Sequence, residues 1–95
     1  MSMQDQILYK LSEVVDPETG LNVVRMGLIR GITVEETTGE VHLAFRPTSF
    51  FCPMAFKLGV DIRDTVKGIA GVNTVDIKVE NFARAKELNR LLAQQ

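Results

Sequence analysis

The chain has 95 residues, a length typical of one domain, and 45% of them are apolar, which is enough for a hydrophobic core. A net charge of −1 leaves no basic excess to neutralise phosphates, so nucleic-acid binding is not expected. No apolar run approaches the roughly 18–20 residues that cross a bilayer, and the N-terminus does not resemble a signal peptide. The chain has a single cysteine, which excludes an intramolecular disulfide. We therefore expect one cytoplasmic domain over residues 1–95, without a membrane partner.

The chain should begin with a helix over residues 2–15. Ser2 can cap this helix through its hydroxyl. Apolar residues recur at helical spacing, namely Ile7, Leu8, Leu11 and Val15. The helix should end at the acidic turn Asp16-Pro17-Glu18-Thr19-Gly20, because proline disfavours helix in the residue before it and glycine favours a turn.

A hairpin is predicted next, with strands over residues 28–36 and 40–46 around the turn 37–39. The side chains predicted to face the core are Leu28, Ile32 and Val34 in the first strand and Val41, Leu43 and Phe45 in the second. His42, the only histidine, falls on the opposite face of the second strand. We interpret His42 as a surface residue.

The second half of the sequence predicts a helix, a strand and a final helix. Residues 53–67 form the helix, because Pro53 suits a first helical position and an apolar face follows at Met54, Leu58, Ile62 and Val66. The third strand spans residues 72–79 and directs Val75, Ile77 and Val79 inward. The final helix spans 81–92, with Asn81 as a cap and an apolar face of Phe82, Ala85, Leu88 and Leu92.

The predicted fold class is α+β, with the order α-β-β-α-β-α. It comprises a small mixed three-stranded sheet, made of the hairpin plus a crossover strand, with helices packed on one face. The position of the third strand in the sheet does not follow from the sequence.

Cys52 is the residue most informative about function. Because it directly precedes Pro53, it is predicted to be the N-cap of the second helix, where the helix dipole favours a thiolate. Such a thiolate could ligate a metal or react. Free cysteines are also commonly small buried core residues, and the position alone does not separate these two interpretations.

The segments around Cys52 and the acidic turn leave further alternatives open. Asp16 and Glu18 could supply rigidly held oxygen ligands, or they could form a solvated helix stop. Thr48 could donate to a sulfur or a bound ion, or satisfy loop backbone groups. Phe50 and Phe51 could pack inside, or one of them could contact a partner.

Enzyme motifs are scarce in the sequence. It has no zinc-ligand spacing, phosphate-binding loop or nucleophile elbow. A thiol-dependent enzyme would need His42 as a base within hydrogen-bond reach of Cys52. Another alternative to an enzyme is a protein-interaction module that uses Phe50 and Phe51, with Cys52 as an inert packed side chain.

Two segments resemble a known family. The first is Pro47-Thr48-Ser49-Phe50-Phe51-Cys52-Pro53-Met54-Ala55, followed by Leu58-Gly59 and Ile62-Arg63. The second is Asp16-Pro17-Glu18-Thr19-Gly20, with Val23 and Gly27-Leu28-Ile29 after it. Together they resemble the SufT/PaaD-like family of iron–sulfur assembly proteins, which includes the eukaryotic cytosolic iron–sulfur targeting subunit. Many bacterial members carry glycine where this chain has Phe51.

This resemblance implies a role in assembling or targeting iron–sulfur clusters rather than catalysis. It implies a functional site at Asp16, Glu18, Thr48 and Cys52, with Cys52 as the metal ligand. The expected cargo is a transiently bound iron–sulfur cluster, and the expected partners are carrier or client proteins. A homodimer is also plausible, because two chains would bring two copies of Cys52 together.

Overall fold

The computed structural model describes residues 2–17, 19–47 and 54–93. They form three helices and one three-stranded sheet in the predicted order α-β-β-α-β-α. The helices are α1 (Met3–Leu11), α2 (Ala55–Lys67) and α3 (Ala85–Ala93), and the strands are β1 (Ile29–Glu35), β2 (Glu40–Phe45) and β3 (Thr74–Val79). The predicted α+β class is confirmed.

The sheet has β2 at its centre. β1 pairs with β2 antiparallel as a hairpin, and β3 pairs with β2 in parallel after the crossover through α2. The turn of the hairpin is attached to the start of β3, because the side-chain amide of Asn73 donates to the carbonyl of Thr38 at 2.6 Å. The Asn73 backbone N–H also donates to the carbonyl of Gly39 at 2.7 Å. These contacts set the third strand, which the sequence left unplaced, beside β2.

The core lies between one face of the sheet and the three helices. The predicted inward side chains of β2 and β3 are all buried, namely Val41, Leu43, Phe45, Val75, Ile77 and Val79. The helices contribute Ile7, Leu11, Leu58, Ile62, Val66, Leu88 and Leu92 to the same cluster. The opposite face of the sheet carries the polar alternation and is exposed along β3. We call this opposite face the outer face.

β1 departs from simple alternation. Its register against β2 shifts between Arg30 and Thr33, and Gly31 within the shift has a φ of +59°. Strict alternation from Val34 would place Arg30 on the core face. The bulge reverses this, and Arg30 pairs with Ala44 on the outer face.

Three predicted helix boundaries are wrong. α1 ends at Leu11, so Val15 lies beyond the helix and is 48% exposed, while Val14 is buried instead. α3 begins at Ala85 rather than at Asn81, which has a φ of +54° and forms part of the turn after β3.

The third difference concerns the start of α2. The helix begins at Ala55 with Met54 as its N-cap, because the Met54 carbonyl accepts the first helical hydrogen bond from Leu58. The sequence assigned this cap to Cys52, which therefore stands two residues before the cap. The predicted N-cap position of Cys52 is wrong, and its other predicted roles lie outside the described residues.

Candidate functional site

The acidic turn is closed by backbone hydrogen bonds. The Asp16 N–H donates to the carbonyl of Leu21 at 2.9 Å, and the Gly20 N–H donates to the carbonyl of Asp16 at 2.8 Å. An isolated antiparallel bridge joins Val15 and Asn22 just outside this turn. The turn is therefore a tight structure fixed at both ends.

Asp16 is buried. It is 4% exposed, and within the described part of the chain it is the one charged or polar residue in the buried set. No buried side-chain nitrogen or oxygen of the described residues lacks a hydrogen-bond partner. Because burying a charged carboxylate is costly without partners, the fold holds Asp16 in a defined position. Asp16 is therefore not solvated, while Glu18 lies outside the described residues and the predicted ligand role of Asp16 stays a prediction.

The turn contacts the segment that leads into β1. The Thr19 hydroxyl donates to the sulfur of Met26 at 3.6 Å. Met26 in turn lines a surface cavity of about 310 Å³ together with Arg46 and Pro47, at the end of β2. The acidic turn and the point where the chain leaves β2 toward residues 48–53 therefore lie at the same end of the sheet.

The remaining predicted site residues, namely Glu18, Thr48, Phe50, Phe51 and Cys52, lie outside the described residues. Their predicted roles stay predictions. The described residues on either side of the 48–53 segment are Pro47, which is buried, and Met54, which is partly buried at the start of α2.

His42 lies on the outer face, as predicted. Its side chain is 51% exposed, with Nδ1 3.2 Å from a carboxylate oxygen of Asp76 and Nε2 3.7 Å from one of Glu40. No group of three His, Cys, Asp or Glu side chains in residues 2–17, 19–47 and 54–93 could hold a metal ion. The histidine is thus engaged with exposed carboxylates on the sheet.

Sequence reasoning missed the cations beside the cavity. Arg30 and Arg46 both line it, and the Arg30 Nε–H donates to the carbonyl of Gly27 at 3.1 Å. The signal that could have found them is Gly31, because a glycine inside a strand pattern indicates a possible bulge.

Of the helices in the described residues, none is long and apolar enough to cross a membrane.

Other proteins are similar to this chain in sequence or in fold. A protein from Methanocaldococcus jannaschii, MJ1129, described as uncharacterized, is 30% identical over all of this chain and 99% of its own length. The Fe-S protein maturation auxiliary factor YitW of Bacillus subtilis is 26% identical over 82% of this chain and 76% of its own. A crystal structure of a domain of unknown function from Bacillus anthracis superposes with a TM-score of 0.74 at 24% identity, covering 98% of this chain and 93% of that one.

A longer relative and a family model complete the comparison. An iron-sulfur cluster carrier protein of Deinococcus radiodurans is 29% identical over 87% of this chain, but the matched part is 23% of its own length. The family model described as iron-sulfur cluster assembly protein matches residues 4–79. That match includes the acidic turn, the hairpin, α2 and β3. The chain belongs to the iron–sulfur cluster assembly protein family.

Proposed function

We propose that this protein is a cytoplasmic assembly or targeting factor that transiently binds an iron–sulfur cluster through Cys52 and hands it on. Membership of the family gives the chain a general role in iron–sulfur cluster assembly. The observation that carries the finer proposal is the buried, fixed Asp16 at the same end of the sheet as the start of the 48–53 segment.

The number of ligands supports transient binding. A stable cluster is usually held by about four thiolates or equivalent ligands. One chain supplies one cysteine, and a homodimer would supply two. Oxygen ligands from Asp16 and Glu18, or thiols from a partner, would complete the set. A cluster held in this way exchanges readily, which suits a protein that passes it on.

A longer relative indicates what kind of partner the protein has. In Deinococcus radiodurans, a segment similar to this chain forms part of a longer protein named as a cluster carrier. We infer that the separate chain works beside a carrier or client protein. Thr48 would donate a hydrogen bond to the bound cluster or its ligands, and Phe50 and Phe51 would contact the partner.

Anaerobic reconstitution with ferrous iron, sulfide and a small thiol tests the role of Cys52. Iron and acid-labile sulfide per chain, together with visible absorbance, should show a cluster in the wild type and at least a roughly tenfold loss in Cys52→Ser. Serine has nearly the same shape, so circular dichroism should be unchanged. Equal cluster content in Cys52→Ser would contradict the proposal and favour an interaction module with an inert cysteine.

A control variant separates the position of the thiol from its mere presence. Ser12 is exposed after α1. The double variant Cys52→Ser with Ser12→Cys keeps one thiol per chain but moves it. We expect this variant to bind no more cluster than Cys52→Ser alone. Recovery of wild-type content would mean that any exposed thiol suffices.

A further inference from the structure

Charge is separated along the outer face of the sheet. The strand register places side chains in rows that cross all three strands. The row nearest the hairpin turn carries two carboxylates, and the row nearest the end of β2 carries two cations. From the turn onward the rows are Glu35, Glu40 and Thr74, then Thr33, His42 and Asp76, then Arg30, Ala44 and Lys78.

Three cations form what we call the basic strip: Arg30, Lys78 and Arg46, which follows β2. All three are exposed, and within the described residues none takes part in an ion pair. The bond from Arg30 to the Gly27 carbonyl uses the Nε–H and orients the guanidinium. The strip therefore presents three cations without an ion-pair partner among the described residues, and the exposed carboxylates of Asp76 and Glu80 flank Lys78 along the chain.

The surroundings of the strip suit a bound anion. The cavity of about 310 Å³ beside it is lined by both arginines and Asn81, and no acidic side chain lines it among the described residues. Between Arg30 and Lys78 the register places only the methyl group of Ala44. A carboxylate can approach either cation without meeting a large side chain.

The spacing favours several carboxylates over one small anion. Arg30 and Lys78 lie on strands separated by β2, which places their backbones roughly 10 Å apart. An extended acidic peptide that crosses the strip can offer a separate carboxylate to each cation at that spacing. A nucleic-acid backbone is disfavoured because the net charge of −1 leaves no extended basic surface to neutralise a run of phosphates.

We propose that the basic strip docks an acidic segment of the partner protein that delivers or receives the cluster. The identity of the partner rests on the proposed function, whereas binding of an acidic peptide does not. Arginine forms paired hydrogen bonds with carboxylates, so both guanidinium groups would contact the segment directly. Docking there would hold the partner beside Pro47, where the chain enters residues 48–53.

Fluorescence anisotropy with the cluster-free full chain tests this docking. The probe is a fluorescein-labelled peptide of alternating glutamate and serine, compared with its glutamine counterpart, at low and at physiological ionic strength. Arg46→Gln and Lys78→Gln remove charge without removing any described side-chain hydrogen bond. We expect the double variant to bind the glutamate peptide roughly tenfold more weakly, and salt to weaken binding in the wild type.

Two control variants make the test specific. Lys67→Gln removes an exposed charge from the last turn of α2 and should leave binding unchanged. Glu80→Gln removes an exposed carboxylate two residues after Lys78, just beyond the end of β3, and should tighten binding. The proposal would be overturned if Lys67→Gln weakened binding of the glutamate peptide as much as the double variant does. Absence of binding of the glutamate peptide at low salt would also overturn it. Stronger binding of a single-stranded oligonucleotide of equal charge would also overturn it, whereas failure of cluster reconstitution would leave it intact.

Discussion

Gly39 offers a test of how the third strand is held against the hairpin. It has a φ of +75°, and an added Cβ would overlap the carbonyl oxygen of Gly71 and lie 3.0 Å from the backbone nitrogen of Asn73. Both neighbours are backbone atoms, so relief requires the turn before β3 to move. That movement would disturb the 2.7 Å hydrogen bond from Asn73 to the Gly39 carbonyl.

The expected cost of Gly39→Ala has two parts. A left-handed conformation costs an alanine about 1–2 kcal/mol, and forcing atoms into occupied space adds about 1–3 kcal/mol. We therefore expect the free energy of unfolding to fall by about 3 kcal/mol in urea or guanidinium titrations. The matched control is Gly31→Ala, because Gly31 has a φ of +59° but no atom within 4 Å of an added Cβ.

The difference between the two variants isolates the contact. Gly31→Ala should cost only the conformational part, about 1–2 kcal/mol. If the two alanine variants lose the same stability, the close approach of the hairpin turn to Gly71 and Asn73 is not a constraint in solution. That result would refute a fixed attachment of β3 to the hairpin turn.

Two further substitutions test burial and charge. Asp16→Ala removes a buried carboxylate, so it should lower the free energy of unfolding by about 1–3 kcal/mol. The control Asp64→Ala, on the exposed side of α2, should change it by less than about 0.5 kcal/mol. Equal changes in the free energy of unfolding would contradict the burial of Asp16. A hydrogen bond from Arg84 lowers the pKa of Glu87 below its ordinary value of 4.5, so this pair contributes stability above that pH and loses it as the pH falls through the lowered pKa. Arg84→Gln should raise the Glu87 pKa measured by NMR titration, and an unchanged pKa would show that the pair is not formed in solution.

Local patterns predicted the elements, but not their ends. Alternation along β2 and β3 identified the buried side chains, and the Ser2 cap is formed by its hydroxyl, which accepts from the Asp5 N–H at 3.2 Å. The boundary errors share a cause. Val15 and Asn81 fit a helical pattern in sequence, yet α1 ends at Leu11 and Asn81 has a left-handed φ of +54°, neither of which the spacing of apolar residues reveals.

The site was predictable only in part. Asp16 was named from the turn motif, but its burial depends on how the turn packs, which spacing does not reveal. The basic strip was missed because the bulge at Gly31 reverses the face of Arg30, and because Lys78 joins the same row only through the parallel pairing of β3. Both facts depend on register, which the sequence left undetermined.

Transfer of a cluster to an acceptor tests the proposed function most directly. The reconstituted wild-type protein is mixed anaerobically with an apo-ferredoxin, and holo-ferredoxin formation is followed by its spectrum with and without an iron chelator. We expect transfer that is faster than from free iron and sulfide, that resists the chelator, and that is lost in Cys52→Ser. Transfer at the same rate from Cys52→Ser, or complete interception by the chelator, would contradict a direct handover through Cys52.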